Sequence, residues 1–347
     1  MYMKLEKSTL SEAATAQIHA RWVKYTDLIP CKNAFIDSRS PGSDSKENFT
    51  IIGPGVSENP NQHVHISIPH GFNIGGARQP NGCLNSQHSH LTEEVFVAHN
   101  GTWAFRAGVT GLDAEVIMQE GDIISLPTGI FRGFENVGKD TAYLYAILGK
   151  DNPGRVTWAP QVFDMAQQYG LILLENGALI DTSLGQTVPA NSIVMPKTNA
   201  SQVAAHKFVN NTDMQGLLIK QADFAWQDDS MLANSSGVQE ATLIGCRSKL
   251  EGLNASKIDW PHGFVVRALK YSPKSKIPEH VRDEEEVIFV QSGRLNANIN
   301  GLVLALEKGD TLSVPISAIR SFENSASDNA IVYVTRRHNI PMPPKFV

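Results

Sequence analysis

The chain has 347 residues, 41% of them hydrophobic and 19% charged, with a formal net charge of -5. That length holds two ordinary domains at about 150 residues each, and the acidic balance leaves no basic footprint for nucleic acid. No apolar run approaches the ~18 residues of a membrane span, and the opening segment MYMKLEKSTLSEAATAQ lacks the apolar core of a secretory signal. Three widely spaced cysteines, Cys31, Cys83 and Cys246, argue against a disulfide framework and for a reduced, cytoplasmic protein.

In chain order, the first predicted element is a helix over residues 9–22, with Thr9 and Glu12 in capping-box spacing. The segment GCLNSQHSHLTEEVFVAHNG, Gly82 to Gly101, follows as strand sequence ending in a glycine turn. It carries His88, His90 and Glu94, and because strand residues two and four apart share a face, all three are expected to point inward. GDIISLPTGIFRGFEN (Gly121 to Asn136) and AYLYAIL are further strands, PQVFDMAQQYG reads as a short helix, and LENGALID reads as a hairpin on an Asn-Gly turn. The Ser-, Asn- and Thr-rich residues 182–211 form the best linker, although their SIVMP run is apolar enough to pack.

The chain then repeats itself. The segment beginning at Ile68 recurs from Trp260 at a constant offset of 192 residues, so that His70 maps to His262, His88 to His280, Glu94 to Glu286 and Gly101 to Gly293. GDTLSVPISAIRSFEN (Gly309 to Asn324) matches Gly121 to Asn136 at an offset of 188, which places a four-residue deletion in the intervening hairpin. The chain is therefore a tandem duplication. Its predicted organisation is an N-terminal arm and helix (1–45), a first barrel (46–160), a linker with a short helix and hairpin (161–215) and a second barrel (216–347).

Both copies resemble the cupin family. Its first motif, G-x5-H-x-H-x3-E-x6-G, fits Gly82, His88, His90, Glu94 and Gly101, and its second, G-x5-P-x-G-x2-H-x3-N, fits Gly121, Pro127, Gly129 and Asn136. The resemblance implies an all-β fold of two cupin-type double-stranded β-helix (jelly-roll) barrels in tandem, a bicupin, with a few short helices. It also implies a divalent transition metal on His88, His90 and Glu94. Two histidines and one carboxylate with open positions suit non-haem Fe(II), with Mn, Ni or Zn as alternatives. Where the family has its fourth ligand, a histidine, this chain has Arg132, and Arg320 stands at the matching place in the second copy. Arginine stays protonated and does not ligate metals.

The second copy also has Arg282 in place of the second histidine and is read as metal-free, with Arg282, Glu286 and Arg320 forming an ion-pair network. In the first copy Arg132 has two readings. It binds the acid group of a small anionic substrate, or it pairs with Glu94 and holds the barrel together.

The leading functional expectation is a metal-dependent enzyme of Fe(II) dioxygenase type, with Arg132 and Glu94 as catalytic residues. The alternatives are a metal-assisted isomerase, epimerase or lyase, and a metal-free module that binds a sugar acid. A monomer and a homodimer are both open. His70 is expected to be a buried structural imidazole, His63 and His65 reserve ligands at most, His99 an outward-facing residue and Cys83 a free thiol in a turn. Trp103, Phe105 and Phe131 are expected in the core, and Arg78 and Arg106 are candidate anion contacts.

Overall fold

The computed structural model describes residues 10–347. It is all-β with four short α-helices among the described residues, and it divides into two units, each a single jelly roll of two facing sheets. One unit comprises residues 29–223; the other comprises residues 224–347 together with residues 10–28 of the N-terminal segment.

In the N-terminal unit a seven-stranded sheet has Ala142–Gly149 between Glu94–Ala98 and Phe72–Gln79. All eight residues of Ala142–Gly149 are buried, so this strand reads as a continuous apolar run rather than an alternating one. The facing five-stranded sheet pairs Leu84–Ser89 with Arg132–Asn136, which in turn pairs with Trp103–Ala107. Phe96, Trp103, Phe105, Ile124, Phe134 and Leu144 fill the space between the sheets. Trp103 and Phe105 are core residues as the sequence predicts, and Phe131 joins a second cluster with Trp158 and the helix Pro160–Gln168.

The C-terminal unit repeats this plan, with Phe264–Tyr271, Glu286–Ser292 and Ala330–Arg337 in a six-stranded sheet and Lys276–Val281 paired with Arg320–Glu323 in a five-stranded one. The four-residue deletion falls where the offset change puts it. Residues 108–113 connect Trp103–Ala107 to Ala114–Met118, whereas Asn300 and Gly301 alone connect Leu295–Ile299 to Leu302–Leu306. Asn300 and Gly301 both have positive φ, 51° and 92°, as a two-residue Asn-Gly hairpin turn requires.

The first helix is Glu12–His19, and its N-cap is Ser11, whose hydroxyl accepts from Ala14 N at 3.2 Å. Thr9, the cap expected from the sequence, lies outside the described residues. This helix and the strand Trp22–Val23 belong to the C-terminal unit: Trp22 pairs with Leu312, and Ile18 enters that unit's core. The LENGALID turn forms a hairpin between Leu171–Leu173 and Leu179–Asp181. The linker carries its own short helices, Ala200–Ala204 and Asn211–Leu217, each opened by an Asn capping box. No helix among the described residues is long and apolar enough to cross a membrane.

Candidate metal centre

His88 lies on Leu84–Ser89 in one sheet, His90 just beyond its end, and Glu94 opens the next strand, Glu94–Ala98, in the facing sheet. The sequence expectation of three side chains on one strand face is therefore corrected. Residues 90–93 turn the chain from one sheet into the other, and the ligands converge across the gap. Their donor atoms lie within 4.8 Å of one another, and all three residues are buried. Among the described residues no other group of three or more His, Cys, Asp or Glu converges in this way.

The tautomer of His88 is set by a backbone acceptor. Its Nδ1 lies 2.7 Å from the Ser86 carbonyl, so Nδ1 carries the proton and Nε2 is left with a lone pair. Metal-bound histidines are oriented by this kind of outer hydrogen bond. Burial, reinforced by the Arg132 guanidinium, pushes His88 down to about 3 and His90 well below its ordinary value, so both rings are neutral at pH 7. His90 Nε2 sits 3.5 Å from Glu94 Oε2, and His90 Nδ1 is buried without a partner.

Arg132 is the Cα partner of His88 on the neighbouring strand, at the place of the fourth family ligand. Its Nη2 donates to Glu94 Oε2 at 2.6 Å and its Nη1 to the His88 carbonyl at 3.4 Å. Burial pushes the Glu94 carboxyl up, and Arg132 draws it part of the way back. The guanidinium is thus committed to Glu94 and does not line the adjoining cavity. Of the two readings open in the sequence, the geometry has the ion pair, not a free cation facing a substrate.

The donor set fits a divalent metal in one respect and resists it in another. Two neutral imidazoles and a carboxylate converge at the wall of a cavity, and Glu94 Oε1 is not held by Arg132. Against this, the fourth position is already cationic. Without metal the charges of Glu94 and Arg132 cancel. A divalent ion leaves the buried centre with an excess of about two positive charges, which an anion must offset.

The cavity, of about 80 Å³, is walled by Phe35, Phe49, Phe96, Phe134 and Trp158 with His88, His90 and Glu94. Trp158 packs its ring 5.3 Å from that of His88 and donates from Nε1 to Glu58 Oε1 at 2.7 Å. The His88 strand is anchored from outside by a buried Lys46–Asp37 pair: Lys46 Nζ reaches Asn85 Oδ1 at 2.9 Å, and Asp37 Oδ2 accepts from Ser86 N at 3.0 Å. His206, from the linker, meets Ser89 Oγ through Nε2 at 2.7 Å and stacks on Phe131. Sequence reasoning missed Glu58, Trp158, Lys46, Asp37 and His206, because each reaches the site over a long sequence separation with no spacing to betray it.

Residues set aside in the sequence are placed as follows. His70 and His262 are structural twins, with Nδ1 at 2.6 Å and 2.7 Å from the carbonyls of Ile68 and Trp260. His63 and His65 pack against each other away from the triad, and His65 Nε2 accepts from Ile29 N. His99, expected to face outward, is buried with its ring against Tyr143. Cys83 is a free, buried cysteine, and burial pushes its thiol up to about 11. Arg78 and Arg106 are engaged by Glu47 and by Glu115 and Glu135, not by an anion site.

At the equivalent place in the C-terminal unit, His280 and Arg320 are again Cα partners. Arg282 Nε lies 2.8 Å from Glu286 Oε2 and Arg320 Nη1 3.7 Å from Glu286 Oε1. The network extends beyond the residues named from sequence: Arg336 joins Glu251 at 2.6 Å and also pairs with Glu284, and Arg282 reaches Glu251 at 3.3 Å. Two guanidinium groups thus lie on Glu286, the residue equivalent to Glu94.

No protein-family profile matches the chain. A curated relative, germin-like protein subfamily 1 member 10 of Arabidopsis thaliana, is 32% identical over 83 residues, 23% of this chain, and the match spans 37% of that protein's length. Among solved structures, the oxalate decarboxylase of Lactobacillus farciminis in its formate complex is similar with a TM-score of 0.56 at 12% identity, covering 96% of this chain and 88% of that one. A deletion mutant of the Bacillus subtilis oxalate decarboxylase is similar with a TM-score of 0.54 at 10% identity, covering 94% and 79%. The two solved structures are matched along both barrels and show the fold, two cupin-type jelly-roll barrels in tandem, as the motif spacings and the duplicated sheets predict.

Proposed function

We propose that the N-terminal barrel is a divalent-metal centre that carries out lyase-type chemistry on a small organic acid, and that the C-terminal barrel is its metal-free structural partner. The observation that carries this reading is the convergence of His88, His90 and Glu94 within 4.8 Å at a cavity, with His88 already in the tautomer that frees Nε2. The likeness to oxalate decarboxylases favours decarboxylation over the dioxygenase reading.

In this account His88 Nε2, His90 and Glu94 hold the metal, which supplies Lewis-acid polarisation of a substrate oxygen. Arg132 draws the Glu94 carboxyl back toward its ionised form and fixes one of its oxygens. The aromatic wall excludes water and holds the substrate body against the centre. Beyond the three ligands no Asp, Glu, His, Lys, Cys or Tyr lines the cavity among the described residues. Protons consumed in the reaction therefore come from the substrate or from water.

The test is turnover by protein reconstituted with Mn(II), Co(II), Zn(II) or Fe(II), offered small carboxylic acids, with carbon dioxide release and oxygen uptake followed together. Carbon dioxide release that needs no oxygen and is lost in His90→Ala supports the proposal. Oxygen consumed in step with substrate transfers the site to the dioxygenase reading. A second reading is favoured by the 2.6 Å Arg132–Glu94 pair: the guanidinium replaces the metal, and the barrel is a metal-free binding module. Ligand binding that survives His88→Ala in metal-free protein supports that reading.

A further inference from the structure

The cavity wall carries information about its ligand that the centre alone does not. None of the 23 lining residues is lysine or arginine. The nearby buried cations are both engaged elsewhere, Arg132 with Glu94 and Lys46 with Asp37 and Asn85. Most of the wall is ring and aliphatic surface, to which Ile74, Leu148 and Val156 add to the aromatic residues. Away from the three ligands its polar groups are neutral, and the hydroxyl and amide of Thr50 and Gln62 already bond each other at 2.6 Å. The Asn48 amide is the exception, since its Nδ2 is buried without a partner.

An acid that enters this space finds positive charge only at the metal, so every carboxylate it carries must reach that ion. A second carboxylate beyond reach of the metal would sit among phenyl rings with no counter-ion, an arrangement that buried charges do not tolerate. The volume sets the size. About 80 Å³ accommodates roughly five to eight water-sized atoms, less than the ~150 Å³ cavity known to take benzene.

Resting on the metal-centre reading, we propose that the ligand is a compact aliphatic monocarboxylate with an uncharged, branched or short-chain body. Its single acid head lies at His88, His90 and Glu94, its body lies against the aromatic wall, and a neutral oxygen such as a 2-oxo group faces Asn48. Dicarboxylates whose second acid group cannot reach the metal, such as succinate, are selected against by the wall.

The experiment is isothermal titration of the full chain, reconstituted with Mn(II), with 3-methyl-2-oxobutanoate and with succinate, while metal content is measured by mass spectrometry on the same samples. The oxo acid is expected to bind at least tenfold more tightly, with quenching of tryptophan fluorescence that is lost in Trp158→Phe. Succinate binding as tightly or more tightly, or no binding of either acid, overturns the inference. The metal measurement separates the two failures. Metal present with succinate preferred sinks the substrate class and leaves the centre standing. Metal absent with the oxo acid still preferred sinks the centre and leaves the substrate class standing.

Discussion

Replacing Arg132 by methionine removes one member of a buried ion pair and leaves the other without a counter-charge. Arg132 and Glu94 are both almost fully buried, and Nη2 lies 2.6 Å from Oε2. Breaking such a pair from one side costs about 3–5 kcal/mol. The unit that holds it runs from residue 29 to 223, a size for which each kcal/mol lowers Tm by about 2–4 °C. The metal-free Arg132→Met protein should therefore unfold about 6–20 °C below the wild type by calorimetry after chelation.

Mn(II) should reverse most of that loss, because a divalent ion replaces the missing positive charge at Glu94. The same ion should raise the wild-type Tm much less, since there it joins a guanidinium. Arg132→His adds a third imidazole, and with it a fourth ligand, and should bind Mn(II) at least tenfold more tightly than the wild type. If metal-free Arg132→Met melts within about 2 °C of the wild type, the ion pair is not what balances Glu94. If Mn(II) shifts both proteins equally, Arg132 does not compete with the metal, and the charge argument fails.

Other perturbations have equally definite signs. Burial pushes the Glu286 carboxyl up, but Arg282 and Arg320 outweigh it and hold the group at about 2. Its folded pKa is thus below its unfolded value, so the stability it contributes is present above about pH 4.5 and is lost as pH falls toward 2. Glu286→Gln should destabilise the C-terminal unit by about 3–5 kcal/mol and flatten its acid limb in urea titrations between pH 3 and 6; unchanged slopes would count against the network. Glu58 has the opposite sign: burial raises it to about 8 despite the bonds from Trp158 and Ile36. The folded state keeps a proton that the unfolded state releases, so stability should fall as pH rises from about 4.5 to 8. Glu58→Gln should remove that fall, and identical pH profiles for the two proteins would contradict it. A Cβ on Gly133 would stand 2.7 Å from the Asn85 carbonyl oxygen. Gly133→Ala should therefore open the pairing that sets Arg132 against His88, at about 1–3 kcal/mol, and weaken metal uptake. A wild-type Tm would show that the register tolerates the side chain.

The sequence was most informative where a repeat constrained it. The constant offset between His88 and His280 fixed the duplication, and the change of offset located the shortened hairpin at Asn300–Gly301. It was less informative about direction. His88, His90 and Glu94 have the spacing of one strand face, yet residues 90–93 turn, and the ligands meet from opposite sheets. His99 looked exposed by alternation and is buried against Tyr143. The supporting residues were not legible at all. Lys46 and Asp37 anchor the ligand strand through a loop contact, His206 comes from the linker, and Glu251, Glu284 and Arg336 complete the charged core from elements far apart in sequence. Such partners are chosen by tertiary packing, which no local spacing encodes. The ambiguity over Arg132 had the same origin: the sequence placed it opposite His88, but only its reach to Glu94 shows which group it neutralises.

The account stands most directly on metal stoichiometry. Metal-free full-length protein titrated with Mn(II), with bound ion counted by paramagnetic resonance and mass spectrometry, should take up one equivalent per chain, lost in His90→Ala and retained in His280→Ala. Uptake of no metal, uptake that survives His90→Ala, or a second equivalent that depends on His280 would contradict a single three-ligand centre in the N-terminal barrel.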